Sequence, residues 1–343
     1  MRVLVTGGAG FLGMHLAERL SAAGMGVRIL DTATRPDWAD RLDVEAVRGD
    51  VRDSSASSRA LRGIEVVVHA AFAPPQAGER DLYDVNVRGT RALCRAMVDE
   101  GVSRLLVVSS TIVEQTPRFA GLARRGPLHS LNVYRATRSD AEAEATRGGG
   151  AGLEVAVVRP KTFLGPGRVG AFAIVFEAVQ RGASVVIPGS GHNAYQLLDI
   201  RDFAAGLHLL VERGGSGLFR FGAAEYSTVA TEMQTLVNHA GTGARVRSLP
   251  GLPARVGLRA LELAGFNPLS EWYQCAARGV DSVVDISRAR DELRWEPTRS
   301  NARALVDAYD WYADRRAAGV DVPSTHPVPR SHRALWRVVG SLG

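Results

Sequence analysis

Thr6-Gly7-Gly8-Ala9-Gly10-Phe11-Leu12-Gly13 decides the fold of this 343-residue chain. It follows the apolar run Val3-Leu4-Val5 and opens a segment of helical period from Phe11 to Ala23. Glycines spaced by three between a strand and a helix are what a dinucleotide site requires. Gly7 makes the tight turn, Gly10 lets the backbone approach a pyrophosphate, and Gly13 lets helix and strand pack closely. The diphosphate then lies on the free N–H groups of the helix N-terminus, where Phe11 and Leu12 stand. The next strand, Val27-Arg28-Ile29-Leu30, ends at Asp31, an acid about 20 residues on, placed for ribose hydroxyls. The other reading of the stretch is a tight β-α turn with no ligand.

Working outward, apolar runs at 2–6, 27–31, 44–47, 65–69, 104–109 and 153–158 alternate with helical stretches near 11–24, 54–62, 80–100 and 134–147. This alternation predicts an α/β fold, a doubly wound parallel sheet with helices on both faces. Val66-Val67-Val68 and Leu105-Leu106-Val107-Val108 are continuously apolar, as strands buried on both faces must be. Ligands bind outside the carboxyl ends of such strands. Residues 1–160 are therefore expected to form the dinucleotide-binding domain. Residues 161–322 are expected to form a smaller C-terminal substrate-binding lobe, partly interleaved with the first, with helices near 170–182, 202–213, 228–240, 253–264, 286–293 and 301–316. Residues 323–343 read as a tail, whose Arg333-Ala-Leu-Trp-Arg-Val-Val run is either flexible or a short amphipathic helix.

Composition removes several classes. No apolar run reaches the ~18–20 residues of a membrane span, and no signal peptide is expected before the first strand. Cys94 and Cys275 form no disulfide or metal pattern and read as small buried hydrophobes, so a cytoplasmic protein is expected. His69, His129, His192, His208 and His239 lack ligand spacing, so no metal is expected. The net charge is +6, but the basic residues are scattered without interleaved aromatics, which argues against nucleic acid. Almost all are arginine; Lys161 is the only lysine. A modest positive field also suits an anionic substrate.

Further motifs follow in order: Gly49-Asp50-Val51, His69-Ala70-Ala71, Asn86-Val87-Arg88-Gly89-Thr90, Val108-Ser109-Ser110-Thr111, Tyr134 with a basic residue four later, Arg159-Pro160 and Gly165-Pro166-Gly167. Together with the opening stretch they make residues 1–315 resemble the extended short-chain dehydrogenase/reductases, the NAD-dependent sugar epimerases and dehydratases on a Rossmann sheet. The resemblance implies that Asp50 and Val51 contact the adenine and that Ala70 and Ala71 line the nicotinamide-ribose side. It implies that Asn86 orders the active-site side of the sheet and that Pro160 belongs to the cofactor site. Asp31 favours NAD over NADP, because a carboxylate repels a 2′-phosphate; Arg35 keeps NADP open. The family's acid/base is a tyrosine, aided by a lysine one helical turn later, which points to Tyr134 and position 138. Its substrate-holding hydroxyl points to Ser110, with Thr111 as runner-up. The resemblance also suggests a homodimer through the Tyr134 helix and the helix near 82–100.

Two positions depart from the family pattern. Residue 138 is Arg, which keeps the charge but replaces a compact ammonium with a planar fork that does not share its proton. Tyr195 stands where sugar-nucleotide members carry an arginine for the diphosphate, and tyrosine offers no cationic clamp. Lys161, Thr162, Arg168 and Arg201 are the other candidate substrate contacts; Lys161 binds an anionic substrate group, stands in for the missing amine, or forms a surface salt bridge. The expected function is epimerase or dehydratase chemistry on a sugar derivative, nucleotide-linked or not, through transient oxidation of a secondary alcohol. The alternatives are an NAD(P)H-dependent reductase or dehydrogenase and a non-catalytic dinucleotide-binding protein.

Overall fold

The computed structural model describes residues 1–114, 127–249, 271–320 and 322. The helix expected at 253–264 and the tail from 323 lie outside the described residues. The described chain divides into two compact units. The first comprises Met1–Lys161, Ile200–Phe221 and Asp285–Glu296; the second takes the described residues of Thr162–Asp199, Gly222–Val284 and Pro297–Gly343.

The first unit is built on seven parallel strands, β1 (Arg2–Thr6), β2 (Gly26–Asp31), β3 (Glu45–Arg48), β4 (Val66–His69), β5 (Arg104–Val108), β6 (Glu154–Pro160) and a late strand, Gly217–Phe221. Their order is β3-β2-β1-β4-β5-β6 followed by Gly217–Phe221. The chain winds outward from β1 to β3, then restarts beside β1 at β4. That reversal opens a crevice at the carboxyl ends of β1 and β4, the position where such sheets take ligands. One face packs Leu4, Leu30, Val67, Leu105 and Val107 into an apolar core with Ala56, Ala60, Leu93, Met97 and Ala145 from covering helices.

Those helices are α1 (Phe11–Ala22), α2 (Asp37–Arg41), α3 (Ser54–Leu61), α4 (Glu79–Tyr83), α5 (Thr90–Asp99) and α6 (Pro127–Gly149). The stretch at 80–100 is not one helix: a π turn, Asp84–Gly89, separates α4 from α5. The Thr90 hydroxyl captures the Asn86 carbonyl at 2.6 Å within that turn, and Gly89 lies so close to Val51 that an added Cβ would meet Cγ2 at 2.9 Å. Hydrophobic period alone does not register such a local insertion. The Tyr134 helix also starts earlier than its period suggests, at Pro127. The late strand Gly217–Phe221 pairs with β6 in register from Gly217 opposite Ala156 to Phe221 opposite Pro160. It joins the first unit with Ile200–Arg213 and Ser287–Leu293.

The second unit contains two small parallel pairs, Thr162–Leu164 with Leu197–Asp199 and Val185–Pro188 with Val246–Leu249. Its core is aromatic: Phe172 meets Trp272 at 5.9 Å, and Phe176 lies between Tyr309 and Tyr312 at 5.7 and 5.8 Å.

Candidate active site

The opening glycines hold two turns against each other. Gly7 has φ +67°, and a Cβ there would fall 2.8 Å from the Ala70 carbonyl oxygen, so the turns after β1 and β4 touch. At Gly13 a Cβ would lie 2.0 Å from the Gly8 carbonyl oxygen, which leaves no room for a side chain. Helix α1 starts at Gly10 without a side-chain cap, leaving the N–H end beside Phe11 and Leu12 suited to an anion. Asp31 Oδ2 accepts from the Ala9 N–H at 3.0 Å and Oδ1 from the Ala33 N–H at 2.9 Å. The acid read as a ribose ligand therefore also shapes the glycine loop. Asp50 forms a two-pronged pair with Arg52 at 2.9 and 2.6 Å, which holds its carboxyl below the usual range. Val51 is buried in the core, whereas Ala70 and Ala71 are half-buried after β4.

Behind these turns runs a buried hydrogen-bond chain. Thr6 Oγ1 and His69 Nδ1 are 2.7 Å apart, and His69 Nε2 and Thr90 Oγ1 are 2.9 Å apart. Thr90 gives its hydrogen to the Asn86 carbonyl, so it accepts from Nε2, and the neutral ring accepts at Nδ1 from Thr6. Thr6 Oγ1 in turn accepts from the Ala70 and Ala71 N–H groups at 3.2 and 3.3 Å. Asn86 Oδ1 accepts from the Ala73 N–H at 2.9 Å, and its amide donates to Thr137 Oγ1 at 3.1 Å. Thr137 donates to the Tyr134 carbonyl at 2.9 Å. Burial, with Arg138 nearby, pushes the His69 pKa down to about 3, as the neutral ring requires.

Tyr134, Arg138 and Glu142 recur every four residues on α6 and share one face. Glu142 grips Arg159 of β6 through two bonds at 2.9 and 2.5 Å, anchoring that face to the sheet. The Arg138 guanidinium carbon lies 5.8 Å from the Tyr134 ring centroid. Arg138 is 4% exposed, donates to the Val108 carbonyl at 2.6 Å and lies over the Phe72 ring. Burial lowers its pKa, opposed by Tyr134 and Glu142, and a guanidinium stays charged. Ser110 Oγ accepts from the Ile112 N–H at 3.3 Å. Ser109 Oγ, Thr111 Oγ1 and Arg138 Nε are buried polar atoms with no hydrogen-bond partner among the described residues. All three belong to the end of β5 or reach it. Buried polar atoms are rarely left unpaired, so this cluster fits a polar ligand at the crevice.

The first unit thus gathers Tyr134, Arg138, Ser110, Thr111, Asn86, Ala70, Ala71 and the glycine loop at the carboxyl edge of one sheet, with Pro160 ending β6. Lys161 and Arg201 also belong to this unit; Thr162, Arg168 and Tyr195 belong to the other. Lys161 is 1% exposed, so it is not the surface residue of a solvated salt bridge. Tyr195 is 2% exposed in the aromatic core. Its hydroxyl lies 2.7 Å from Thr162 Oγ1, and its carbonyl accepts from Asn301 at 2.8 Å. Arg168 and Arg201 are half-buried. Among the described residues no cluster of acids, histidines and cysteines could hold a metal, and no helix is long and apolar enough to cross a membrane. Sequence reasoning missed Phe72, Thr137 and Glu142, and took His69 only as part of a motif. The four-residue step from Tyr134 to Glu142 was the available signal.

Comparison with known proteins shows the family and the fold. Residues 3–219 match the NAD dependent epimerase/dehydratase family. The chain is 32% identical over 337 residues to the uncharacterized protein y4nG of Sinorhizobium fredii, covering 97% of this chain and 84% of that protein. It is 27% identical over 334 residues to a Mycobacterium tuberculosis 3 beta-hydroxysteroid dehydrogenase/Delta 5→4-isomerase, covering 91% and 90%. Its fold is shared with Thermus thermophilus UDP-glucose 4-epimerase in complex with NAD, with a TM-score of 0.69 at 24% identity, covering 91% and 99%.

Proposed function

Since the chain belongs to the NAD dependent epimerase/dehydratase family, we propose that it binds NAD in the first unit and oxidises a secondary alcohol of a sugar derivative. The hydride is then returned after a change at a neighbouring carbon. The observation that carries this reading is the buried Arg138 charge beside Tyr134, near the Ser109 and Thr111 hydroxyls after β5, which like its own Nε have no hydrogen-bond partner among the described residues. Gly7, Gly10 and Gly13 with the α1 N-terminus would hold the diphosphate, Asp31 the adenine ribose, and Asp50 with Val51 the adenine. When bound, the nicotinamide ring supplies the hydride acceptor and later the donor. Tyr134 takes the alcohol proton and gives it back, and because the hydride is also returned the catalytic cycle is redox-neutral. Ser110, or Thr111 beside it, donates a hydrogen bond to the substrate oxygen, and the fixed Arg138 charge offsets negative charge developing there. Lys161, Thr162, Arg168 and Arg201 are the proposed substrate contacts, with the cations serving an anionic group.

A second reading is favoured by Tyr195. Buried and tied to Thr162, it supplies no cation for a nucleotide diphosphate, and the mycobacterial relative is named for a hydroxysteroid. In that reading the substrate is a less polar cyclic alcohol and the dinucleotide is consumed. A content of two cysteines, Cys94 and Cys275, fits a cytoplasmic protein. The α5–α6 face, with Val98 exposed, is the proposed homodimer surface.

The test is to denature the purified protein, identify the released nucleotide, and follow nicotinamide absorbance during turnover. Retained NAD with no net absorbance change supports the epimerase or dehydratase reading. Stoichiometric reduction of NAD supports the second. Failure to bind either dinucleotide overturns both.

A further inference from the structure

Arg138 stands where the family pattern has a lysine, and a buried guanidinium needs a seat that an ammonium does not. It is a flat fork with five donors, whose plane must be set before any donor is aimed. Two contacts set it here. The Phe72 ring lies under the guanidinium, with the central carbon 3.6 Å from the ring centroid. The Val108 carbonyl then takes one Nη–H at 2.6 Å. The ring is itself propped, its centroid 4.6 Å from that of His69 at 42°. The negative face of an aromatic ring replaces part of the water that a buried cation has lost. With plane and one donor fixed, Nε remains buried, with no hydrogen-bond partner among the described residues. The titratable and charged groups facing the guanidinium are Tyr134 and Glu142 from its own helix and His69 from β4.

We propose that Phe72 is a positioning residue. Its ring holds Arg138 flat at the end of β5, so that the Nε–H stays aimed at an oxygen of the bound dinucleotide. This rests on the proposed NAD site of the first unit, gives Arg138 a contact to the dinucleotide there beside its charge effect at the substrate oxygen, and extends the site to a residue that contributes no polar atom. Phe72 and Arg138 then form one functional unit, and the aromatic ring is what makes arginine workable at this position.

The experiment is a double-mutant cycle read as the NAD dissociation constant, by calorimetric titration of the full chain freed of nucleotide. The proteins are wild type, Phe72→Leu, Arg138→Met and the double variant. Phe72 is half-buried, and leucine keeps an apolar side chain without the ring face. Phe72→Leu should weaken NAD binding about tenfold, the scale of a desolvated cation–π contact. In the Arg138→Met background the same change should cost less than about twofold. Phe72→Trp, which restores a ring face, should bind NAD within about twofold of wild type. Equal losses in both backgrounds overturn the proposal, because Phe72 would then act by packing alone. So does a Phe72→Leu protein that binds NAD normally. If Arg138→Met binds NAD as tightly as wild type, the underlying reading of Arg138 falls as well, and this outcome is distinct from the other two.

Discussion

The Thr6 hydroxyl donates to His69 Nδ1 at 2.7 Å, joining the last residue of β1 to the last residue of β4 beneath the crevice. Because Thr90 has given its own hydrogen to the Asn86 carbonyl, the ring is neutral with the proton on Nε2. One buried histidine therefore links the glycine loop to the π turn, which in turn holds the Tyr134 helix through Thr137.

This linkage makes stability depend on pH. The folded ring resists protonation down to about pH 3, whereas the unfolded chain takes up that proton near pH ~6.5. The stabilisation is complete above the unfolded value and is lost as pH falls from there toward the folded value. Denaturant titrations between about pH 7 and about pH 5 should show a steeper loss for wild type than for His69→Gln. Parallel slopes would place the histidine outside this linkage.

Tyr134→Phe removes the proposed proton carrier and leaves the ring. Turnover of a verified substrate should fall by at least ~10²-fold, with NAD affinity and melting temperature close to wild type. A variant that turns over at the wild-type rate would remove Tyr134 from the chemistry.

Asp31 shapes the glycine loop and is the proposed ribose ligand, so Asp31→Ala should do two things. Losing the acceptor for the Ala9 N–H loosens the glycine loop, and losing the charge removes the barrier to a 2′-phosphate. NAD binding should weaken by about tenfold while NADP binding weakens less or improves, since hydrogen bonds to charged groups are worth about 1.5–3 kcal/mol. Equal losses for both dinucleotides would contradict the discrimination.

Gly13→Ala tests the close approach of α1 to the loop. The added methyl would lie 2.0 Å from a backbone oxygen, where no flexible side chain can move aside. The variant should lose upwards of about 2 kcal/mol and bind NAD poorly. Gly24→Ala is the comparison: its φ is +75° and an added Cβ meets nothing within 4 Å. It should cost only the backbone strain, about 1–2 kcal/mol, and leave NAD binding unchanged.

Much of the first unit is legible in the chain because its signals are local. The turn from β1 into α1 is written in eight consecutive residues, and the apolar runs of β1, β4 and β5 follow from burial on both faces. Tyr134 and Arg138 share a helix face by spacing alone. The π turn escaped because one shifted hydrogen-bond turn inside a helical stretch barely disturbs its hydrophobic period. The strand Gly217–Phe221 escaped too, since pairing partners are chosen by sheet topology and not by any property of the strand's own five residues.

By itself the sequence determined the parallel sheet, the dinucleotide loop, and the presence of a tyrosine and a cation one helical turn apart. Tertiary structure alone decided what surrounds that cation. Phe72 is far from Arg138 along the chain, and the two meet only because β4 lies beside β5 and α6 packs over them. The burial of Lys161 and Tyr195, and the chain from Thr6 through His69 to Thr137, arise in the same way. Local spacing constrains neighbours on one helix or strand, whereas contacts between distant segments exist only once the sheet order has closed the space between them.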